Sequence, residues 1–219
     1  NLGNVYITGE FKDTAYFDLG ISTTSLIAGG NRDIFISKLD ASGNLIWAKQ
    51  IGGSQTTSRE HVNAIVLDGQ GNIYVTGNFA GITDFDPGPS TFYVTSLGAG
   101  VHSAFICKLD QLGNFIWVKQ FGGILASESN SITVDQYGNV YTTGLFDGTV
   151  DFDPDPSSTF NLTVMAYSDV FVSKLDSEGN FVWAKQFGGT QGAVGYAIAL
   201  DGNGNVYTTG TIGGTVDFD

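Results

Sequence analysis

Short runs of alternating or β-branched apolar residues, each bounded by a glycine-bearing turn, fill this chain from end to end. Val140-Tyr141-Thr142-Thr143 is opened by Gly138-Asn139 and closed by Gly144, and its β-branched and aromatic content predicts a strand. Residues 169–175 alternate, with Val170, Val172 and Lys174 on one face and Phe171, Ser173 and Leu175 on the other. A further strand, residues 181–187, follows across Asp176-Ser177-Glu178-Gly179-Asn180. In such a D-x-x-G-N segment the aspartate bonds to the backbone inside the turn, and the glycine takes the left-handed conformation that a following bulge requires. The segment recurs at 40–44 and 110–114 and, ahead of the GNVY-type strands, at 68–72, 135–139 and 201–205. The run before those strands, such as Ala64-Ile65-Val66-Leu67, is apolar on both faces and reads as a fully buried strand. Helical periodicity is nowhere sustained.

Three markers keep step along the chain. GNVYITG starts at Gly3, GNIYVTG at Gly71, and GNVYTTG at Gly138 and again at Gly204, spacings of 68, 67 and 66 residues. FISKLDASGNLIWAKQIGG, FICKLDQLGNFIWVKQFGG and FVSKLDSEGNFVWAKQFGG carry Trp47, Trp117 and Trp183, and DFD falls at Asp84, Asp151 and Asp217. The expected fold class is all-β: β-propeller blades of about four antiparallel strands in a 66–68-residue repeat. Units run 1–70 (its first buried strand missing), 71–137, 138–203 and, as a partial fourth, 204–219. Common blades take about 40 to 50 residues. The surplus lies between the GNVY and KLD strands and predicts an added strand pair, residues 149–153 with 160–164. Propellers close with roughly 4 to 8 blades, and an open arc leaves sheet edges and apolar faces uncovered. The 219 residues, starting at Asn1 rather than methionine, are therefore expected to belong to a longer chain or to close by association of copies.

GNVYTTG, TVDFDP and FVSKLDSEGNFVWAKQFGG together resemble SBBP-type repeats, named for a seven-bladed β-propeller. The resemblance extends over essentially the whole chain. It implies a module of a secreted or surface-attached bacterial protein and brings no catalytic residue with it.

Charge narrows the partners. With 9 basic against 22 acidic residues and a net charge of −13, the chain lacks the clustered Lys and Arg that nucleic acid demands, and anionic membranes are disfavoured for the same reason. No apolar run approaches the roughly 20 residues needed to cross a bilayer. The 31 glycines follow no three-residue period, which excludes collagen. The single cysteine, Cys107, excludes an internal disulfide framework.

The acidity is mostly aspartate, eighteen Asp against four Glu. Asp151, Asp153 and Asp155 stand at alternate positions of DFDPDP, and Asp84 and Asp86 keep the pair, whereas the first unit has Tyr16 and Asp18. Turn capping is the reading of these carboxylates; the alternative is a Ca²⁺ site, since hard cations take several carboxylate oxygens. No other cofactor is expected. Residues common to every unit are read as structural: Trp47, Trp117 and Trp183 as packing between blades, and Gly43, Gly113 and Gly179 as turn glycines. Lys38, Lys108, Lys174, Lys49, Lys119 and Lys185 are read as strand-face residues. Cys107, where other units have Ser37 and Ser173, is read as a small semi-buried replacement without the basic partner a nucleophile needs. His61 and His102 look isolated, with no zinc spacing, and Arg59-Glu60-His61 reads as a solvated loop.

The expected function is a non-enzymatic extracellular scaffold or binding module whose partners are proteins or glycans met by loops at the blade ends. The alternatives are the propeller portion of a secreted hydrolase or lyase whose active site lies elsewhere, and an architectural stalk or filament subunit.

Overall fold

In the computed structural model, which describes residues 3–18, 24–53, 58–98 and 100–216, the chain is all-β and, among those residues, has no helix. It opens with β1 (Val5–Phe11), a small hairpin of β2 (Thr14–Tyr16) and β3 (Ser25–Ile27), then β4 (Asp33–Leu39) and β5 (Leu45–Ile51). Strands β1, β4 and β5 form a three-stranded antiparallel sheet in that order. Next come β6 (Arg59–Leu67), β7 (Ile73–Ala80), the hairpin β8 (Ile82–Asp84) and β9 (Tyr93–Thr95), β10 (Ser103–Leu109) and β11 (Phe115–Phe121). Here β6, β7, β10 and β11 make a four-stranded sheet. A third sheet takes β12 (Ser127–Val134), β13 (Val140–Asp151), β14 (Asn161–Leu175) and β15 (Phe181–Phe187), and β16 (Ala193–Leu200) pairs with β17 (Val206–Ile212) in a fourth. These sheets are propeller blades, each built from strands taken in chain order.

The surplus in each period is an inserted hairpin. In the third blade it simply prolongs β13 and β14, with Thr149, Val150 and Asp151 facing Thr163, Leu162 and Asn161. In the first two blades it is the separate pair β2–β3 or β8–β9. The third DFD marker, at Asp217, lies outside the described residues. A blade starts one strand ahead of its GNVY motif, so the strand that ends residues 1–70 opens the second sheet.

That opening strand is not the buried one, contrary to the sequence reading. β6 is only partly covered and leaves Leu67 exposed, while every residue of β7 and of β10 is buried. The reason is positional: the second and third strands are sandwiched between neighbouring blades, whereas the first lies on the sheet edge.

The six D-x-x-G-N turns are built alike. At the first, Asp40 Oδ1 accepts the backbone N–H groups of Ser42 (2.8 Å) and Asn44 (2.9 Å), and Asp40 Oδ2 accepts from the Asn44 amide. The glycine N–H closes onto the Asp40 carbonyl with φ at 85°. The Asn44 amide, aided by these backbone N–H groups, holds the Asp40 carboxyl below its ordinary value. After the KLD turns one residue bulges out of register, leaving Ile46, Ile116 and Val182 exposed.

A second bulge explains the final glycine of GNVYTTG, which lies inside a strand rather than closing it. Asn63, Asn130 and Tyr196 are the extra residues of the innermost strands. The strand carbonyl just ahead of each bulge presses on that glycine: a Cβ on Gly77, Gly144 or Gly210 would lie 1.9–2.2 Å from the carbonyl oxygen of His61, Glu128 or Val194. Two of the bulged side chains also stitch the blades together. Asn63 Nδ2 donates to the Ser129 carbonyl and Asn130 Nδ2 to the Gly195 carbonyl, both at 2.9 Å.

The apolar core is divided among the joints. Ile34, Ile36, Val75 and Phe105 pack between the first and second blades; Tyr74, Ile106, Phe121, Phe146 and Phe171 pack between the second and third. Each tryptophan meets the tyrosine of its own GNVY strand edge-on: Tyr6–Trp47, Tyr74–Trp117 and Tyr141–Trp183, with centroids 6.3, 6.1 and 6.1 Å apart. All three tryptophans are half-buried, because they sit on the outermost strand. The KLD lysines lie over the same tyrosine rings, at 5.2, 5.0 and 4.9 Å for Lys38, Lys108 and Lys174. The first two also donate across the joint, to the carbonyls of Gln111 and Ser177 in the following turn. The glycine of that turn must be bare: a Cβ on Gly113 or Gly179 would press on Trp47 and Lys49, or on Trp117 and Lys119.

Candidate binding groove on the blade rims

The DFD loops are hydrophobic anchors with carboxylate caps on either side. Phe85 and Phe152 are fully buried, and Phe152 sits 4.9, 5.4 and 5.5 Å from the rings of Phe171, Phe146 and Phe121. Phe17 takes the same place in the first blade, 5.0 Å from Phe35, which is why the phenylalanine persists there although Tyr16 replaces the first aspartate. Around Phe152 the acids form a relay. Asp151 Oδ1 accepts the N–H groups of Asp153 (3.0 Å) and Phe160 (2.8 Å). Asp153 Oδ1 then accepts from Asp155 N–H, and Asp155 Oδ1 from Ser157 N–H and Oγ–H. The spacing of two is thus the spacing of successive turns, in which each carboxylate caps the amide two residues on. Asp84 and Asp86 do the same for the N–H groups of Asp86, Phe92 and Gly88. Among the described residues, no three Asp, Glu, His or Cys side chains come together as a metal-binding group.

Beside this relay the rims of the second and third blades leave a groove of about 400 Å³, walled by Val94, Leu97 and Val118–Gln120 on one side and by the DPDP loop on the other. A neighbouring hollow of about 490 Å³ shares Lys119 and the loop and adds Asn180 and Phe181. The stem of Lys119 runs over Gly179, and the residue lines both hollows. Hydrogen bonds from Ser157 hold the Asp155 carboxyl below its ordinary value, with a smaller contribution from the Lys119 charge. Together the two hollows are lined by a cation, carboxylates and an amide alongside Phe181, Pro154 and Pro156.

Other residues singled out in the sequence fall elsewhere. Cys107 is fully buried, not semi-buried, with its sulfur 4.0 Å from the Phe85 carbonyl, and burial pushes its thiol up, away from reactivity. His61 and His102 are not isolated: their rings lie 5.6 Å apart between the first three blades. Glu10 holds His61 Nδ1 at 2.8 Å and also pairs with Arg32, while Asn78 reaches His102 Nδ1 at 2.8 Å. Nor is Arg59-Glu60-His61 a solvated loop. It belongs to β6, and Glu60 is fully buried. The sequence reading placed Glu60 in a solvated loop and did not single out Asp33, because the burial of both depends on the packing of one blade on the next. The one signal was Asp169, which takes the place of Asp33 in a later repeat.

Comparison with known proteins agrees with this geometry. The SBBP family, described as a β-propeller repeat, matches at residues 46–78, 116–145 and 182–216. Three stretches of the chain thus match the SBBP repeat. Each SBBP match runs from the outermost strand of one blade, through the innermost strand of the next, to its GNVY strand. The SBBP unit thus straddles a joint, and it contains the tryptophan, the bulge and the close-approach glycine that build that joint. A relative, an uncharacterized WD repeat-containing protein of Acanthamoeba polyphaga mimivirus, is 28% identical over 204 residues, covering 82% of this chain. The chain spans only 14% of that relative's length.

Proposed function

We propose that this chain is a non-enzymatic propeller module of a secreted or surface-attached bacterial protein, and that it binds a glycan or a protein segment in the grooves between blade rims. The observation that carries the reading is the groove around Lys119, where Asp153, Asp155 and Asn180 lie beside Phe181 and two prolines. Hydrogen-bonding groups next to an apolar ring suit a sugar face or an extended peptide. A titration of soluble oligosaccharides and short peptides against the ¹⁵N-labelled protein tests it. Ligand-induced shifts are expected at Lys119, Ser158 and Asn180, and Lys119→Ala should abolish them. Ligands that shift only resonances distant from the groove would refute its role.

The face of the fourth blade engages a further blade, from the same chain or from a second copy. Support comes from one sequence in two settings: Val-Tyr-Thr-Thr-Gly is buried throughout at 140–144 in β13, yet largely exposed at 206–210 in β17.

A further inference from the structure

The loop that joins the second blade to the third departs from its counterparts at two positions. The repeat reads IGGSQ at 51–55 and FGGTQ at 187–191, but FGGIL at 121–125. Ile124 and Leu125 thus stand where the other units carry a small hydroxyl residue and a glutamine, and they are 80% and 48% exposed. Local packing does not demand the change. Leu125 rests on Gly148, where an added Cβ would lie 2.8 Å from Leu125 Cδ1; Gln191 rests in the same way on Gly214, where an added Cβ would lie 3.4 Å from its Cγ. Gly148 and Gly214 hold equivalent places in the repeat, each opening a Gly-Thr-Val-Asp run. The seat accepts a polar side chain as readily, so Ile124 and Leu125 present apolar surface that the seat itself does not require.

A third aliphatic side chain joins them. Leu97, 57% exposed, lies over Gly122, and the Ile124 carbonyl passes over Gly98, so the two loops touch. Leu97 is also a wall of the 400 Å³ groove, together with Val94 and Lys119. Aliphatic patch and groove are therefore one continuous surface. Adjacent exposed apolar side chains, unlike scattered single ones, mark a surface that a partner covers.

Charge and shape select the partner. The far wall of the groove presents Asp151, Asp153 and Asp155 against the single Lys119, on a chain whose net charge is −13. A basic segment is drawn to such a surface and an acidic one is repelled. A sugar stacks on a flat ring, whereas Leu97, Ile124 and Leu125 are branched and gain by burial against other aliphatic side chains. An extended peptide supplies both chemistries, because its side chains alternate between the two sides of the backbone.

We propose that, given the groove as the binding site, its occupant is an extended protein segment whose basic side chains meet the DPDP carboxylates and whose aliphatic side chains cover Leu97, Ile124 and Leu125. Selection of a displayed random dodecapeptide library on the wild-type protein, after depletion on the Ile124→Ser, Leu125→Gln double variant, tests it. That variant carries residues the chain itself uses at this place, and an amide spectrum unchanged outside the loop verifies its fold. Enriched peptides should combine leucine, isoleucine or valine with lysine or arginine. A synthetic copy should bind wild type at least about tenfold more tightly than the double variant and shift the amides of Leu97, Leu125 and Lys119. No enrichment after depletion, enriched peptides without basic residues, or equal binding to both proteins would overturn the proposal. Peptides that shift Leu97 and Leu125 but leave Lys119 and Asn180 unmoved would refute the groove as the site and keep the patch. Cellohexaose shifting Lys119 and Asn180 equally in both proteins, with no peptide telling the two apart, would keep the groove and refute its peptide occupant.

Discussion

Asp151 separates turn capping from calcium binding in one residue. Its Oδ1 holds the amides of Asp153 and Phe160 and so closes the base of the DPDP loop over the buried Phe152. Asparagine keeps the accepting oxygen and loses the charge, and it caps about as well as aspartate. Asp151→Asn should therefore cost under ~0.5 kcal/mol. Alanine removes both bonds and should cost about 1–2 kcal/mol. For a chain of this size that lowers Tm by roughly 2–8 °C. Calorimetry in millimolar calcium and in chelator should give the same Tm for wild type and both variants. A calcium site would behave differently. At a hundred times Kd, mass action adds about 2.7 kcal/mol, or roughly 5–11 °C. Asparagine would then lose most of that gain. A calcium-dependent rise in wild type that disappears in Asp151→Asn would refute the capping account.

Gly144→Ala should destabilise by about 2 kcal/mol or more in denaturant melts, because its Cβ would lie 1.9 Å from the Glu128 carbonyl. Gly43→Ala meets nothing within 4 Å and strains only a φ of 85°, about 1 kcal/mol; equal costs would refute the bulge argument. Phe152→Ala should cost about 3–5 kcal/mol, and a loss below ~1 kcal/mol would remove the DFD phenylalanine from the core. The isolated chain should associate with rising concentration through the face of β17, and Tyr207→Asp should weaken that association. A monodisperse monomer at all concentrations in light scattering would contradict it.

Local chemistry was legible in the sequence wherever it is settled by residues a few positions apart. D-x-x-G-N names its own turn, since aspartate, glycine and asparagine supply the cap, the positive φ and the second amide within five residues. The 66–68-residue period likewise announces blades, because equal segments need equal surroundings. What lies on the two faces of a blade is a different matter. The run 64–67 is as apolar as any strand, yet the structure leaves it half covered, because burial depends on rank within the sheet and not on composition. Gly144 looks like a strand end and is instead the floor under a bulge from another strand. The aspartates of DFDPDP read as turn caps from their spacing, but only the fold shows which amides each one reaches, including that of Phe160 nine residues on. His61 and His102, 41 positions apart, come together on either side of β7 within one blade, and Asp33 and Glu60, 27 apart, come near each other only across a joint. Such pairings depend on strand order and blade packing, tertiary relations that no short-range pattern in the chain encodes.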